Sequence, residues 1–180
     1  MTSPFFTIGH SMHRLQEFAA LLEEAGVERV VDIRKIPGSR KFPQFNEDAL
    51  TRELPVFGIH YEHVAALGGL RGKSHEVAAT TNAWWDNDSF HRYADYACTP
   101  AFAAGFAYLL DIGRRECCAL MCSEVLWWRC HRRIVADHLL ARGETVWHIM
   151  GLGKIEAAHL SAGAVVGEGG AVTYPATIAS

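Results

Sequence analysis

Apolar positions along this chain fall into two alternating patterns. Short continuous runs, such as FFTIG at 5–9, predict buried strands, and longer stretches with apolar residues three and four apart predict helices. Leu15, Phe18, Ala19 and Leu22 make such a stretch in LQEFAALLEEAG, which Gly26 stops. VERVVDIR reads as a second strand, continuous enough to be covered on both faces. KIPGSRKFPQF is punctuated as a loop by Pro37, Gly38 and Pro43, and Asn46 is placed to cap a helix over 46–54. GIHYEHV predicts a short third strand. No period holds from 65 to 88, where LGGLRGKSH and TTNAWWDND read as loop. A short helix is expected around 90–97, and Thr99 with Pro100 opens a longer one that turns Phe102, Phe106, Leu109 and Leu110 inward. CCALMC is the next strand, a helix is expected from about 128 to 142 with Gly143 as its stop, and TVWHIM is the last core strand. AVVGEGGAVTYP predicts a hairpin.

Strands that alternate with helices define an α/β fold: a mostly parallel sheet flanked by helices in a Rossmann-like three-layer order, with a C-terminal hairpin. One domain is expected over 1–180, its core at about 3–150 and the hairpin extension at about 160–175. Right-handed crossovers gather the strand-to-helix loops on one edge, and ligands of such sheets bind there. GHSMH, DIRKIPGSRKF and MCSE should open on that edge. They would bring His10, Ser11, Asp32, Arg34, Arg40, Cys122, Ser123 and Glu124 together from distant parts of the chain.

Composition narrows the function classes. The 180 residues are 49% hydrophobic and 21% charged, enough for a sizeable core. A net charge of −3 argues against extended duplex nucleic acid, which needs a broad basic face. Locally the balance differs: Arg34, Lys35, Arg40 and Lys41 lie close together with no acid among them, a candidate anion site. The first residues lack the basic start and apolar run of a secretory leader, and no stretch is long enough to span a bilayer. Five cysteines, an odd number, make no closed disulfide framework, so a reduced cytoplasmic setting is expected.

The candidate chemistry centres on LMCSEVLWWRCHR. Cys122 should leave a strand just before a helix, with Arg129 and Arg132 nearby. Those are conditions that lower a thiol's pKa and make a nucleophile; the competing reading is a buried structural cysteine. A phosphatase loop does not fit, because its arginine would stand one position before Arg129 and small residues would replace Trp127 and Trp128. Glu124, His131 and His10 are the candidate proton carriers. Arg132 either forks onto an anion or braces the loops through Glu124 or Asp32. Ser11, following Gly9, and Arg34 and Arg40 are candidate ligand contacts, with Asp32 orienting His10 or Arg132. Trp84 and Trp85 either roof the site and stack a ring, or pack as a flap of their own. A metal or redox site at Cys122 and Cys130, with His131 and His10, is a further alternative, although the spacing of the two cysteines is unlike a zinc knuckle.

The same residues carry a likeness. TIGHS at 7–11, DIR at 32–34, PGSR at 37–40, PQFN at 43–46, LGG at 67–69, CSE at 122–124 and CHR at 130–132 appear in the order of a bacterial family. The chain resembles members of domain-of-unknown-function family 488, whose name assigns no reaction. The residues themselves suggest an enzyme that binds an anionic ligand, a nucleotide or a nucleic-acid component, at the carboxyl edge of its sheet. A non-catalytic nucleotide or nucleic-acid binding module is the alternative. No cofactor and no oligomeric state can be read from the sequence.

Overall fold

The computed structural model describes residues 3–176. In chain order the elements are β1 (Phe5–Gly9), α1 (Leu15–Glu24), β2 (Arg29–Asp32), α2 (Glu47–Glu53), β3 (His60–His63), α3 (Asp88–Tyr96), α4 (Pro100–Gly113), β4 (Cys118–Cys122), α5 (Arg132–Ala141), β5 (Val146–Gly151), β6 (Lys154–Ala157), β7 (Val165–Val166) and β8 (Val172–Thr173). The first six strands in chain order form one sheet, ordered β3-β2-β4-β1-β5-β6. Its first five strands run parallel and β6 returns antiparallel beside β5. The expected α/β architecture is therefore present, and β7 and β8 pair as the expected hairpin.

Alternation along the strands divides the core in two. Phe5, Val31, Cys118 and Leu120 face a layer built by α3, α4 and α5. Phe6, Ile8, Val30, Ala119 and Met121 face the other, built by α1 and α2. The strand order then places a crevice. The chain leaves β1 for β2 on the α1 face and leaves β4 for β5 on the α5 face, in opposite directions from two adjacent strands. Between two such exits the loops part, and a crevice opens beyond the strand ends.

Local signals hold at several boundaries. Thr99 Oγ1 caps α4 by accepting the Phe102 N–H, with Pro100 in the first turn. Asn87 caps α3, which begins slightly earlier than the apolar pattern implies. Asn46 stands at the start of α2, but its Oδ1 accepts the Ser39 N–H at 2.7 Å instead. That side chain fastens the basic loop to the helix it was expected to cap. Two expectations need correction. The helix expected from about 128 begins only at Arg132; before it lie a short 3-10 turn, Trp127–Arg129, and Cys130 with extended backbone. β6 was not foreseen, because its exposed KIEA offers no buried face to mark it. Among the described residues, no helix is long and apolar enough to cross a membrane.

Candidate functional site

A cleft of about 810 Å³ lies over the carboxyl ends of β1, β2 and β4. His10, Ser11, Arg34, Cys122, Ser123, Glu124 and His131 line it together, from three loops far apart in sequence. α3 adds Phe90 and Tyr93, the basic loop adds Phe42 with Lys35 and Lys41, and the turn before α5 adds Arg129 and Cys130. Among the described residues, the two non-glycine residues with positive φ, Ser11 at 48° and Leu70 at 55°, both stand on this wall. Such backbone is costly and tends to persist where a site needs it.

Two polar clusters meet here, one from each face of the sheet. On the α1 and α2 side, Asp32 is buried and takes both Arg34 Nε and Nη2, the latter at 2.7 Å, as well as the Tyr61 hydroxyl at 2.5 Å. Burial alone would lower the Arg34 pKa, but the Asp32 pair outweighs it and raises it. His10 stacks on Phe45 at 4.3 Å, and its Nδ1 lies 2.8 Å from the Ser11 carbonyl. That contact makes Nδ1 the protonated nitrogen, so Nε2 accepts from Arg34 Nη1 at 3.4 Å. Burial holds the His10 pKa down to about 4. Asp32 thus orients Arg34, and through it His10; it does not reach Arg132.

On the α5 side, Thr7, Cys122 and Arg132 share a face. Arg132 is fully buried and spends every nitrogen on neutral groups or sulfur. Nε donates to Thr7 Oγ1 at 3.1 Å, Nη1 to Cys122 Sγ at 2.6 Å and to the Glu124 carbonyl, and Nη2 to the Val125 carbonyl at 2.7 Å. Neither Glu124 nor Asp32 supplies a carboxylate to it, contrary to the bracing pair considered from sequence. The Glu124 carboxylate instead accepts the Leu126 N–H at 3.0 Å.

Cys122 and Cys130 stand Sγ to Sγ at 2.8 Å. Against the acidic thiol expected at Cys122, burial and the neighbouring Cys130 push its pKa up. The acidic member is Cys130. Burial opposes this, but a hydrogen bond shared with Cys122 and the charge of Arg132 bring it below the ordinary thiol value. No helix follows Cys122 directly, whereas Cys130 lies just ahead of α5, and the Arg132 N–H points at its sulfur at 3.4 Å. His131 Nε2 lies 2.9 Å from the Ile33 carbonyl, so Nε2 carries the proton and Nδ1, 3.6 Å from Cys130 Sγ, is free to accept one. Burial lowers the His131 pKa and favours that neutral form. The LGG turn lets the ring fit: a Cβ on Gly69 would stand 2.8 Å from His131 Nδ1.

Three sequence-predicted members lie elsewhere. Trp85 is buried and Trp84 partly so; they pack on each other and on Tyr174, and Trp85 backs onto Phe90, so neither lines the cleft nor forms a lid over it. Arg40 is exposed and does not line the cleft. The aromatic wall is Phe42 and Phe90; sequence reading missed Phe42, which has no pattern that separates lining from packing, and Tyr93 is buried behind them with its hydroxyl on the Leu67 carbonyl. Among the described residues, no group of three or more His, Cys, Asp and Glu side chains is gathered to hold a metal ion.

Three buried histidines make stability depend on pH. Burial lowers His10 and His138 to about 4 and His148 to about 3, from 6.5. A depressed folded pKa means the unfolded chain binds the proton more readily, so the stability from neutral imidazole is present above 6.5 and is lost as pH falls toward 4. At pH 5 the loss is about 2 kcal/mol for each histidine. Urea midpoints should fall between pH 7 and pH 5 with unchanged slope, and His138→Leu should flatten the trend. An equal midpoint at both values would show that these rings are solvated.

The fold and site define an α/β protein with its crevice at the switch point of a mostly parallel sheet, floored by a cysteine pair and a histidine. A family model described as a domain of unknown function, DUF488, matches residues 14–139. The chain belongs to that family. No curated protein and no solved structure matches it.

Proposed function

We propose that this protein is a thiol-dependent enzyme whose cleft takes an anionic ligand with a ring, a nucleotide or a nucleic-acid component. The observation that carries the reading is the composition of the cleft. Lys35, Lys41 and Arg129 stand exposed on its rim, and none of the three is in an ion pair among the described residues. Phe42 and Phe90, both partly exposed, supply flat apolar surface beside them, and Cys130 with His131 lies at the floor. Cations hold a phosphate or carboxylate, and aromatic faces receive a ring.

In this reading Cys130 is the nucleophile, in place of the Cys122 favoured by sequence. Its sulfur forms a bond to the electrophilic atom of the ligand as the bond to the leaving group breaks. The thiol proton passes to His131 Nδ1 and from there to the leaving group. Glu124, at the cleft wall, is a second proton carrier. Arg132 touches no ligand and positions both sulfurs.

Titration calorimetry of the reduced protein with the nucleoside monophosphates tests this. At least one should bind, and Lys35→Ala with Arg129→Ala should weaken it about tenfold or more, with a steeper loss as salt rises. Bound ligand should also slow alkylation of Cys130 by iodoacetamide. The absence of binding by any of them, or binding indifferent to both substitutions, would overturn the ligand class. Binding with no turnover of any of them would leave the non-catalytic module, and turnover untouched by Cys130→Ser would overturn Cys130 as the nucleophile.

A further inference from the structure

We propose that Cys122 and Cys130 are a reversible dithiol–disulfide pair, a modification site at the floor of the cleft that a small hydroperoxide closes. Bonded sulfurs stand about 2.05 Å apart. The two thiols at 2.8 Å are less than one ångström short of that, while remaining free. The chain between them is pinned so as to bring them together. Arg132 fastens the Glu124 and Val125 carbonyls, and Leu126 N–H is tied to the Glu124 side chain. Closure therefore needs little new order, and the entropy of bringing the ends together is already spent by the fold.

Access and chemistry agree with the geometry. Both cysteines lie at the floor of the cleft, with 4% of Cys122 and 7% of Cys130 exposed, so a small oxidant approaches Cys130 from the cleft side. The Cys130 thiolate attacks the peroxide oxygen; the O–O bond breaks, the alcohol (water, for hydrogen peroxide) leaves with a proton, and Cys130 becomes a sulfenic acid. The Cys122 sulfur then attacks the Cys130 sulfur. The S–O bond breaks, and hydroxide leaves as water with the Cys122 proton. Two thiols and one peroxide thus give one disulfide, one alcohol and one water. The Arg132 guanidinium, against Cys122 Sγ, favours the thiolate needed in the second step. A dithiol reductant reverses the reaction by exchange.

The remaining cysteines give an internal control. Cys117 and Cys118 face opposite sides of the sheet, in separate halves of the core. Cys98 is exposed, and partial burial of its sulfur raises its pKa. Neither arrangement offers a second sulfur nearby. The disulfide itself is independent of what the cleft binds. Its consequence, that closure removes the nucleophile from use, rests on the reading of Cys130 given above.

The test uses the full chain. Reduced protein is treated with hydrogen peroxide, quenched with N-ethylmaleimide and analysed by intact mass and peptide mapping. The expected product has lost about 2 Da and carries a Cys122–Cys130 cross-link that dithiothreitol removes. It should form about tenfold or more faster than oxidation of Cys98. Cys98→Ser should leave it unchanged, and Cys122→Ser should instead give a Cys130 sulfenic acid that dimedone traps. Full alkylation of Cys122 and Cys130 while Cys98 oxidises would overturn the proposal, as would cross-links only between molecules. Nucleotide titration of the reduced protein runs alongside. A disulfide without nucleotide binding defeats the ligand reading alone, and binding without a disulfide defeats this one alone.

Discussion

Replacing Arg132 by alanine is expected to cost about 3–5 kcal/mol, the sum of several neutral partners left unpaired and the largest loss of any single substitution at the site. Arg132 is fully buried, and its guanidinium joins β1 through Thr7, β4 through Cys122 and the following loop through the Glu124 and Val125 carbonyls. Alanine leaves each of those partners unpaired in a place that excludes water. Lysine cannot rescue the loss, since one ammonium cannot span partners laid out for a planar fork. Urea denaturation monitored by circular dichroism should show a lower midpoint, or no folded baseline at all. If Arg132→Lys does fold, it supplies the second measurement. Cys130 should alkylate with a pH profile moved upward, because the charge that lowers its pKa is displaced. A loss under about 1 kcal/mol, the worth of an exposed contact, would mean that the guanidinium is not the tie described here.

Gly9→Ala should come next, at about 3 kcal/mol. A Cβ at Gly9 would fall 1.9 Å from the Glu124 carbonyl oxygen, 2.4 Å from its carbon and 2.7 Å from the Val125 Cα. All three are backbone atoms, so no side chain can swing aside. The end of β1 and the loop after β4 would have to part, and that loop holds Cys122 against Arg132 and Cys130. The variant should therefore melt earlier and also lose the peroxide-driven cross-link and the acidity of Cys130. Gly143→Ala is the comparison. Its φ is 81° and nothing stands within 4 Å of the added methyl, so strain at the end of α5 costs about 1 kcal/mol and spares the cleft. Equal behaviour of the two variants would show that the close approach at Gly9 is not what shapes the site.

Much of the architecture could be read from apolar spacing, because burial on a strand and burial on a helix leave different periods. Thr99-Pro100 announced α4 in that way, and the near-continuous VV and ALM runs announced strands covered on both sides. KIEA did not, since an exposed edge strand carries no apolar signature. The start of α5 was misplaced for a related reason: Trp127, Trp128 and Arg129 make one 3-10 turn, which resembles the opening of a helix until Cys130 extends. That error carried a chemical consequence. It drew the helix start toward Cys122, to about residue 128 instead of Arg132, and with it the acidic thiol. Trp84 and Trp85 misled in the opposite direction, because a polar loop around two large rings does not reveal that Tyr174, far along the chain, comes back to cover them.

The sequence by itself determined the fold class, the edge on which the loops open, and the convergence of His10, Arg34, Cys122 and His131 there, because those follow from strand–helix alternation and the fixed hand of its crossovers. Only the tertiary structure decided how the two thiols pair, which arginine lines the cleft and which is sealed inside. Those properties depend on burial and on partners a few ångströms away. Asp32 neutralises Arg34, whereas Arg132 finds sulfur and carbonyls and no carboxylate. A one-dimensional pattern records how often a residue is buried, and it does not record what charge waits for it there.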